Sequence, residues 1–149
     1  MKILYVDMDG VLVDFPSGID KCSKEVLSEY KGNEDEIPGI FGKMAPMKDA
    51  INSYLELSKI FDTYILSTAP WKNETAATDK LKWVKKYIGE VAHKRLILTH
   101  HKNLNKGDYL IDDRKKNGVE EFDGEHLYFG EGKEYPDWES VIKYLRDKG

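Results

Sequence analysis

The amino-acid sequence predicts an α/β fold, a parallel sheet with helices on both faces. The first observation is that short apolar runs alternate with segments of helical periodicity over most of the 149 residues, as is typical of β-α-β units. The second is that the run Ile3–Val6 has no charged position and ends abruptly at Asp7, as expected of a strand buried on both faces. Ligands of such sheets bind at the carboxyl ends of the strands, so the residues after each strand are candidates for function.

The other elements follow from periodicity and from turn-forming residues. Residues 14–18 combine Asp, Pro, Ser and Gly and predict a break, and residues 19–30 are predicted as a short helix. The acidic run 34–36 is interpreted as a solvent-exposed turn, and a turn-rich stretch, 37–46, brings the chain back. The later predicted elements are a helix at 50–58, strands at 63–66, 96–98, 109–111 and 126–129, and a last helix from Asp137. Between the strands at 63–66 and 96–98, a further helix is predicted to begin at Asn73 or Thr75 and to end at Gly89. Its predicted inward face carries Ala77, Leu81, Val84 and Ile88.

One segment departs from the alternation of strands and helices. About thirty residues, 15–46, stand between the first strand and the helix expected after it. We therefore expect residues 1–14 and 47–149 to form the core of the domain, and residues 15–46 to form a small inserted cap.

Composition and charge restrict the partners. The net charge is −4, from 27 acidic and 23 basic residues, and this balance argues against a nucleic-acid polymer, which needs a basic face. Cys22 is the single cysteine, so no disulfide can form within the chain. No apolar run has the length of a membrane span, and the first residues lack the apolar core of a secretory signal. We expect a cytoplasmic monomer or homodimer that binds neither membranes nor nucleic-acid polymers.

Reactive side chains follow four of the predicted strands. In a parallel sheet these ends lie at one edge, and residues two apart in an extended chain point the same way, so their carboxylates crowd together. Any single Asp here is equally typical of a turn or a helix cap. Crowded carboxylates either take up protons or bind a cation, and an all-oxygen ligand set favours Mg²⁺. The set comprises Asp7 and Asp9, Ser67 and Thr68, Lys102, and Asp112 and Asp113.

In order and spacing these residues resemble the haloacid dehalogenase superfamily of phosphohydrolases. Residues 7–15 (DMDGVLVDF), residues 67–70 (STAP) and residues 98–114 are more narrowly similar to the 5'(3')-deoxyribonucleotidases. Ala69 stands where that group is expected to carry a hydroxyl, and the inserted segment is short for its cap. The resemblance implies a Rossmann-like fold with a five-stranded parallel sheet, a small helical cap and hydrolysis of a nucleotide phosphomonoester.

The resemblance also implies a role for each matching residue. Asp7 would be the nucleophile and form an aspartyl-phosphate, and Asp9 would be the general acid and then the general base. Thr68 would bind a phosphoryl oxygen, and Lys102 would neutralise charge on the phosphoryl group and on Asp7. The ligands of Mg²⁺ would be Asp7, the Asp9 carbonyl and Asp113, with Asp112 as an outer or alternative ligand.

Contacts with the substrate are expected near the cap. Phe15, Phe41 and Trp71 either stack on a base or sugar or pack in the interior, and Ser67 and Ala69 are further candidates for substrate binding. A phosphatase of the same superfamily for sugar phosphates or other small phosphomonoesters is the alternative enzyme. A non-catalytic phosphoacceptor module is less favoured, because the second strand ends in hydroxyl residues and a second acidic pair follows the lysine. A homologue that only binds its ligand is the remaining alternative.

Overall fold

Five strands form a single parallel sheet in the computed structural model, which describes all residues, Met1–Gly149. They are β1 (Ile3–Val6), β4 (Asp62–Ser67), β5 (Leu96–Leu98), β6 (Tyr109–Asp112) and β7 (Glu125–Tyr128), and their order across the sheet is β5-β4-β1-β6-β7. Two further strands, β2 (Val13–Asp14) and β3 (Ala45–Pro46), pair with each other in antiparallel fashion. The predicted α/β fold with five parallel strands is confirmed.

The helices are α1 (Phe15–Ile19), α2 (Lys24–Glu29), α3 (Ala50–Leu57), α4 (Ala76–Tyr87) and α5 (Trp138–Leu145). The helix predicted at 19–30 is shorter, since only α2 lies within that range, and the break predicted at 14–18 contains the separate short helix α1. Pro16 lies in the first turn of α1, where a proline is tolerated because that N–H has no helical partner. Ser23 Oγ accepts from the Val26 N–H at 3.2 Å and begins α2. No helix is long and apolar enough to cross a membrane.

The two faces of the sheet are covered unequally. Helices α3, α4 and α5 pack with Leu4, Val6 and Ile65 in the main hydrophobic core. The opposite face carries a smaller cluster to which no α-helical residue belongs, since a 3-10 turn, Val119–Glu121, closes it. The connections explain the difference, because those from β1 to β4 and from β4 to β5 contain α3 and α4, whereas the one from β6 to β7 contains only that 3-10 turn. The α-helices therefore cover one face, and not both as the sequence predicts.

The predicted inward face of α4 is only partly correct. Val84 and Ile88 are buried as expected, but Ala77 and Leu81 are exposed, and the buried stripe also runs through Ala76, Lys80 and Trp83. The inward face is therefore rotated from the prediction toward Lys80, by less than the 100° that one residue spans. This rotation places a lysine in the interior.

The inserted segment packs into the main core, although its bounds at 15 and 46 stay a prediction. Ile37, Ile40 and Met44 are buried with the residues of the sheet, and the Trp83 Nε1–H donates to the Met44 carbonyl at 3.0 Å. The Asn73 side-chain amide donates to the Asp35 and Ile37 carbonyls. These contacts hold the segment over α4 and beside the carboxyl edge of the sheet.

Candidate active site

The carboxyl ends of β1 and β6 bring three aspartates together. The two strands are adjacent and in register, with Val6 opposite Ile111, and the Asp7 N–H donates to the Ile111 carbonyl at 2.9 Å. Asp112 is the last residue of β6, and Asp113 follows it. One carboxylate oxygen of each aspartate lies within 4.8 Å of the others, so the predicted convergence of Asp7, Asp112 and Asp113 is confirmed.

Lys102 neutralises two of these carboxylates. Its Nζ lies 3.0 Å from Asp7 Oδ1 and 2.5 Å from Asp112 Oδ2, and all three side chains are buried. Burial by itself lowers the pKa of the Lys102 ammonium, but attraction to Asp7 and Asp112 outweighs burial and raises it. Lys102 is therefore a fixed positive charge beside Asp7.

In the second acidic pair, Asp113 has an open carboxylate, that is, one that accepts no hydrogen bond from an N–H or ammonium group. Both oxygens of Asp112 are engaged, one by Lys102 and one by the Arg114 N–H at 3.0 Å, whereas no N–H or ammonium group donates to the carboxylate of Asp113. Burial, followed by the neighbouring Asp7, raises the pKa of Asp113 to about 8. Burial also raises the pKa of Asp112.

Gly10 makes room for this carboxylate. A Cβ at Gly10 would lie 2.0 Å from Asp113 Oδ2, and the backbone has a φ of +78°, which residues with a side chain rarely adopt. Three carboxylates with no His or Cys among them fit a hard divalent cation, which would relieve their mutual repulsion.

Asp9 is held by Lys80, which was not among the predicted site residues. The Lys80 ammonium lies 2.9 Å from Asp9 Oδ2 and 2.7 Å from Ser67 Oγ, while Asp9 Oδ1 is buried without a partner. Burial raises the pKa of Asp9, and the attraction of Lys80 acts in the opposite direction. In the sequence, the burial of Lys80 is indicated by its spacing of four residues from both Ala76 and Val84, because residues four apart share one face of a helix.

The aspartates form the floor of a cleft of about 770 Å³. The acidic run 34–36, predicted to be a solvent-exposed turn, contributes Asp35 and Glu36 to the lining of this cleft. Cationic side chains line it as well. The other lining residues are Gly10, Phe15, Pro16, Thr68, Pro70, Trp71, Lys72, His100, Lys102, Arg114, Lys116 and Asn117.

Two of the five predicted substrate contacts lie on this cleft, Phe15 and Trp71. Trp71 is 89% exposed, and its ring is 6.2 Å from that of His100. Phe41 is 2% exposed and packs edge-on against Phe15, so of its two expected roles the structure supports packing in the interior.

The remaining two predicted substrate contacts, Ser67 and Ala69, are not among the residues that line the cleft. Ser67 is wholly buried, because strand alternation turns it toward Lys80, and Ala69 packs against the core and does not line the cleft. Thr68 does line the cleft, and its hydroxyl donates to the Thr99 carbonyl at 2.8 Å.

Solved structures share this fold. A haloacid dehalogenase-like hydrolase from Streptococcus pneumoniae superposes with a TM-score of 0.59 at 17% identity, over 99% of this chain and 92% of that one. A second, from Xanthomonas campestris, gives 0.61 at 8% identity, over 98% and 95%. The fold is therefore that of the haloacid dehalogenase-like hydrolases, as the resemblance predicts.

Sequence comparisons identify the family. The profile of the family described as "5' nucleotidase, deoxy (Pyrimidine), cytosolic type C protein" matches residues 22–136. A "Putative 5'(3')-deoxyribonucleotidase" of Vibrio phage KVP40 is 59% identical over 96% of this chain and 84% of its own length. The human "5'(3')-deoxyribonucleotidase, cytosolic type" is 28% identical over 85% and 78%. The chain belongs to this nucleotidase family, which confirms the predicted phosphatase class and not the phosphoacceptor module.

Proposed function

We propose that this chain is a Mg²⁺-dependent phosphomonoesterase that acts on (deoxy)ribonucleoside monophosphates through an aspartyl-phosphate. The observation that carries this proposal is the placement of Asp7, which lies at the carboxyl edge of the sheet beside the Lys102 ammonium and opens onto the cleft. A carboxylate in such a place can attack phosphorus, and a fixed cation beside it can stabilise the charge that develops on the phosphoryl oxygens.

In the first half-reaction an oxygen of Asp7 attacks phosphorus as the bond from phosphorus to the ester oxygen breaks. The electron pair of that bond leaves with the ester oxygen, which takes a proton from Asp9. The raised pKa of Asp9 supports this role, because a general acid must hold its proton near the working pH.

In the second half-reaction water attacks the phosphorus of the aspartyl-phosphate. Asp9, now ionised, takes the proton of that water, and the bond from phosphorus to Asp7 breaks. Inorganic phosphate leaves, and both carboxyl groups return to their starting states. Lys102 stays next to Asp7 throughout and offsets its negative charge.

Asp7, Asp113 and the Asp9 carbonyl would hold Mg²⁺, with Asp112 bound to Lys102 behind them. When bound, the cation would supply positive charge that lowers the repulsion between Asp7 and an anionic substrate. Thr68 is placed to contact the phosphoryl group if its hydroxyl turns away from the Thr99 carbonyl.

Two features favour nucleotides among phosphomonoesters. The named relatives are deoxyribonucleotidases, and the cleft carries exposed Trp71 together with Phe15 at its wall. Aromatic side chains of this kind offer flat surfaces on which a base can stack.

Replacement of the nucleophile tests the mechanism. Asp7→Asn is nearly isosteric, so we expect the fold to persist and phosphate release from dUMP with Mg²⁺ to vanish. Wild-type enzyme quenched in acid during turnover should carry a phosphate adduct on the peptide that contains Asp7. Asp123→Asn, at an exposed position, is the matched control. Activity of Asp7→Asn within about tenfold of wild type contradicts the nucleophile assignment, since covalent catalysis requires that carboxylate.

A substrate panel tests the substrate class. Phosphate release is measured with dUMP, dTMP, ribonucleoside monophosphates and sugar phosphates, each with Mg²⁺ and with EDTA. We expect the highest kcat/KM for nucleotides and no turnover in EDTA. A preference for sugar phosphates supports the alternative phosphatase, and full turnover in EDTA contradicts the metal requirement.

A further inference from the structure

Lys80 is a fully buried charge with a complete set of partners. Its side chain is 0% exposed, and its ammonium contacts Asp9 Oδ2, Ser67 Oγ and the face of the Phe41 ring, whose centre is 4.5 Å away. Burial of an ammonium group is costly unless its donors are paired. An apolar side chain would fill the same volume without that cost, so a function of the charge itself is indicated.

The contact with Asp9 is one-sided. Lys80 engages Oδ2 alone, and Oδ1 is buried and makes no hydrogen bond. With Oδ2 held, the carboxylate cannot turn freely about its bond to Cβ. Ser67, on β4, holds the ammonium from the side of the sheet. A chain of three side chains therefore connects β4, α4 and the loop after β1.

We propose that Lys80 is a positioning residue for the acid-base catalyst. It holds Oδ2 of Asp9 and so fixes the orientation in which this carboxyl group gives a proton to the leaving-group oxygen and later takes one from water. Lys80 does not line the cleft and acts through Asp9. This inference rests on the proposed function, because it concerns the proton transfers of that reaction.

Lys80→Met tests this role, because methionine fills the site without the charge. The parameter is kcat/KM, which reports the steps up to formation of the aspartyl-phosphate. A nucleotide such as dUMP has an alkoxide leaving group that needs a proton, whereas p-nitrophenolate leaves without one. We expect kcat/KM for dUMP to fall about 10- to 100-fold and that for p-nitrophenyl phosphate by less than about threefold, given the usual contribution of general acids.

Lys82→Met is the matched control, because Lys82 is exposed on the same helix. It should leave kcat/KM for both substrates at the wild-type value. A purely structural role for Lys80 predicts instead that Lys80→Met lowers kcat/KM equally for both substrates, and that result would overturn the proposal.

A double-mutant cycle with Asp9→Asn tests whether Lys80 acts through Asp9. In the Asp9→Asn background we expect Lys80→Met to change kcat/KM for dUMP by less than about threefold, since residues that act as one unit are not additive. A full additional loss in that background contradicts the proposal.

Folding of the variant is checked by circular dichroism. If Lys80→Met does not fold, Ser67→Ala replaces it, because this change keeps Lys80 and Asp9 but removes the support of the ammonium. It should give a smaller loss in the same direction, for dUMP and not for p-nitrophenyl phosphate, and an equal loss for both contradicts the proposal. If the wild type releases phosphate from neither substrate, the proposed function itself is contradicted. A failure of the Lys80 proposal differs from this, because the wild type then remains active on both substrates.

Discussion

Replacement of Asp113 by asparagine removes one charge from the three-carboxylate cluster. Two unit charges at 4.8 Å, the outer limit of the distances in this cluster, repel by about 3.5 kcal/mol at an effective dielectric constant of about 20. Lys102 offsets Asp7 and Asp112 but does not contact Asp113. Without metal, and at pH 9, Asp113→Asn should therefore be more stable than the wild type by about 3 kcal/mol, or about 6–12 °C in Tm.

The effect depends on pH in a defined direction. The pKa of Asp113 is about 8 in the folded protein, whereas that of an unperturbed Asp side chain is 3.8. Between about pH 4 and 8 the folded wild type therefore binds more protons than the unfolded chain, and its stability falls as the pH rises. Asparagine does not titrate, so the advantage of the variant grows across this range and is constant above it.

Thermal denaturation in EDTA and in Mg²⁺ measures both effects. At 100 times its Kd, Mg²⁺ should stabilise the wild type by about 2.7 kcal/mol, and this gain should be lost in Asp113→Asn. Exposed Asp123→Asn controls for the change in net charge. The reasoning is refuted if Asp113→Asn is no more stable than the wild type in EDTA at pH 9, or if it keeps the full Mg²⁺-induced shift.

Three further changes separate packing from chemistry. Gly10→Ala should abolish the Mg²⁺-induced Tm shift, because the added Cβ would meet Asp113 Oδ2. Gly32 has a similar φ and open space around it, so Gly32→Ala should lower the free energy of unfolding by only about 1–2 kcal/mol and keep the Mg²⁺-induced shift. Trp71→Ala should raise KM for dUMP about fivefold or more without changing KM for a sugar phosphate; equal changes contradict stacking. Phe41→Ala should lower the free energy of unfolding in urea by about 3–5 kcal/mol, and a loss below about 1 kcal/mol contradicts its assignment to the core.

The predictions that the structure confirms depend on local patterns and on one topological rule. Ile3–Val6 is a strand because an uninterrupted apolar run of that length suits a central position in a sheet. Asp7, Lys102 and Asp112 meet because the carboxyl ends of parallel strands share an edge. Neither inference requires knowledge of which residues contact each other across the chain.

The predictions that were open or incorrect concern side chains whose surroundings come from distant parts of the chain. Phe41 had two readings, as a base-stacking residue or as a packing residue, and only its contacts with Phe15 and Lys80 decide for packing. The inward face of α4 was misassigned at Ala77 and Leu81 because lysine is rarely buried, and Lys80 was therefore not placed on that face. Lys80 is buried since Asp9 and Ser67, 71 and 13 residues away, supply its partners.

The sequence by itself determined the fold class, the family and the chemical groups of the site, because strand and helix periods and motif order are properties of neighbouring residues. Only the tertiary structure decided that Asp113 is the open carboxylate, that Gly10 must lack a side chain, and that Lys80 stands behind Asp9. The physical reason is that the burial and pairing of a charge depend on atoms brought near it by folding.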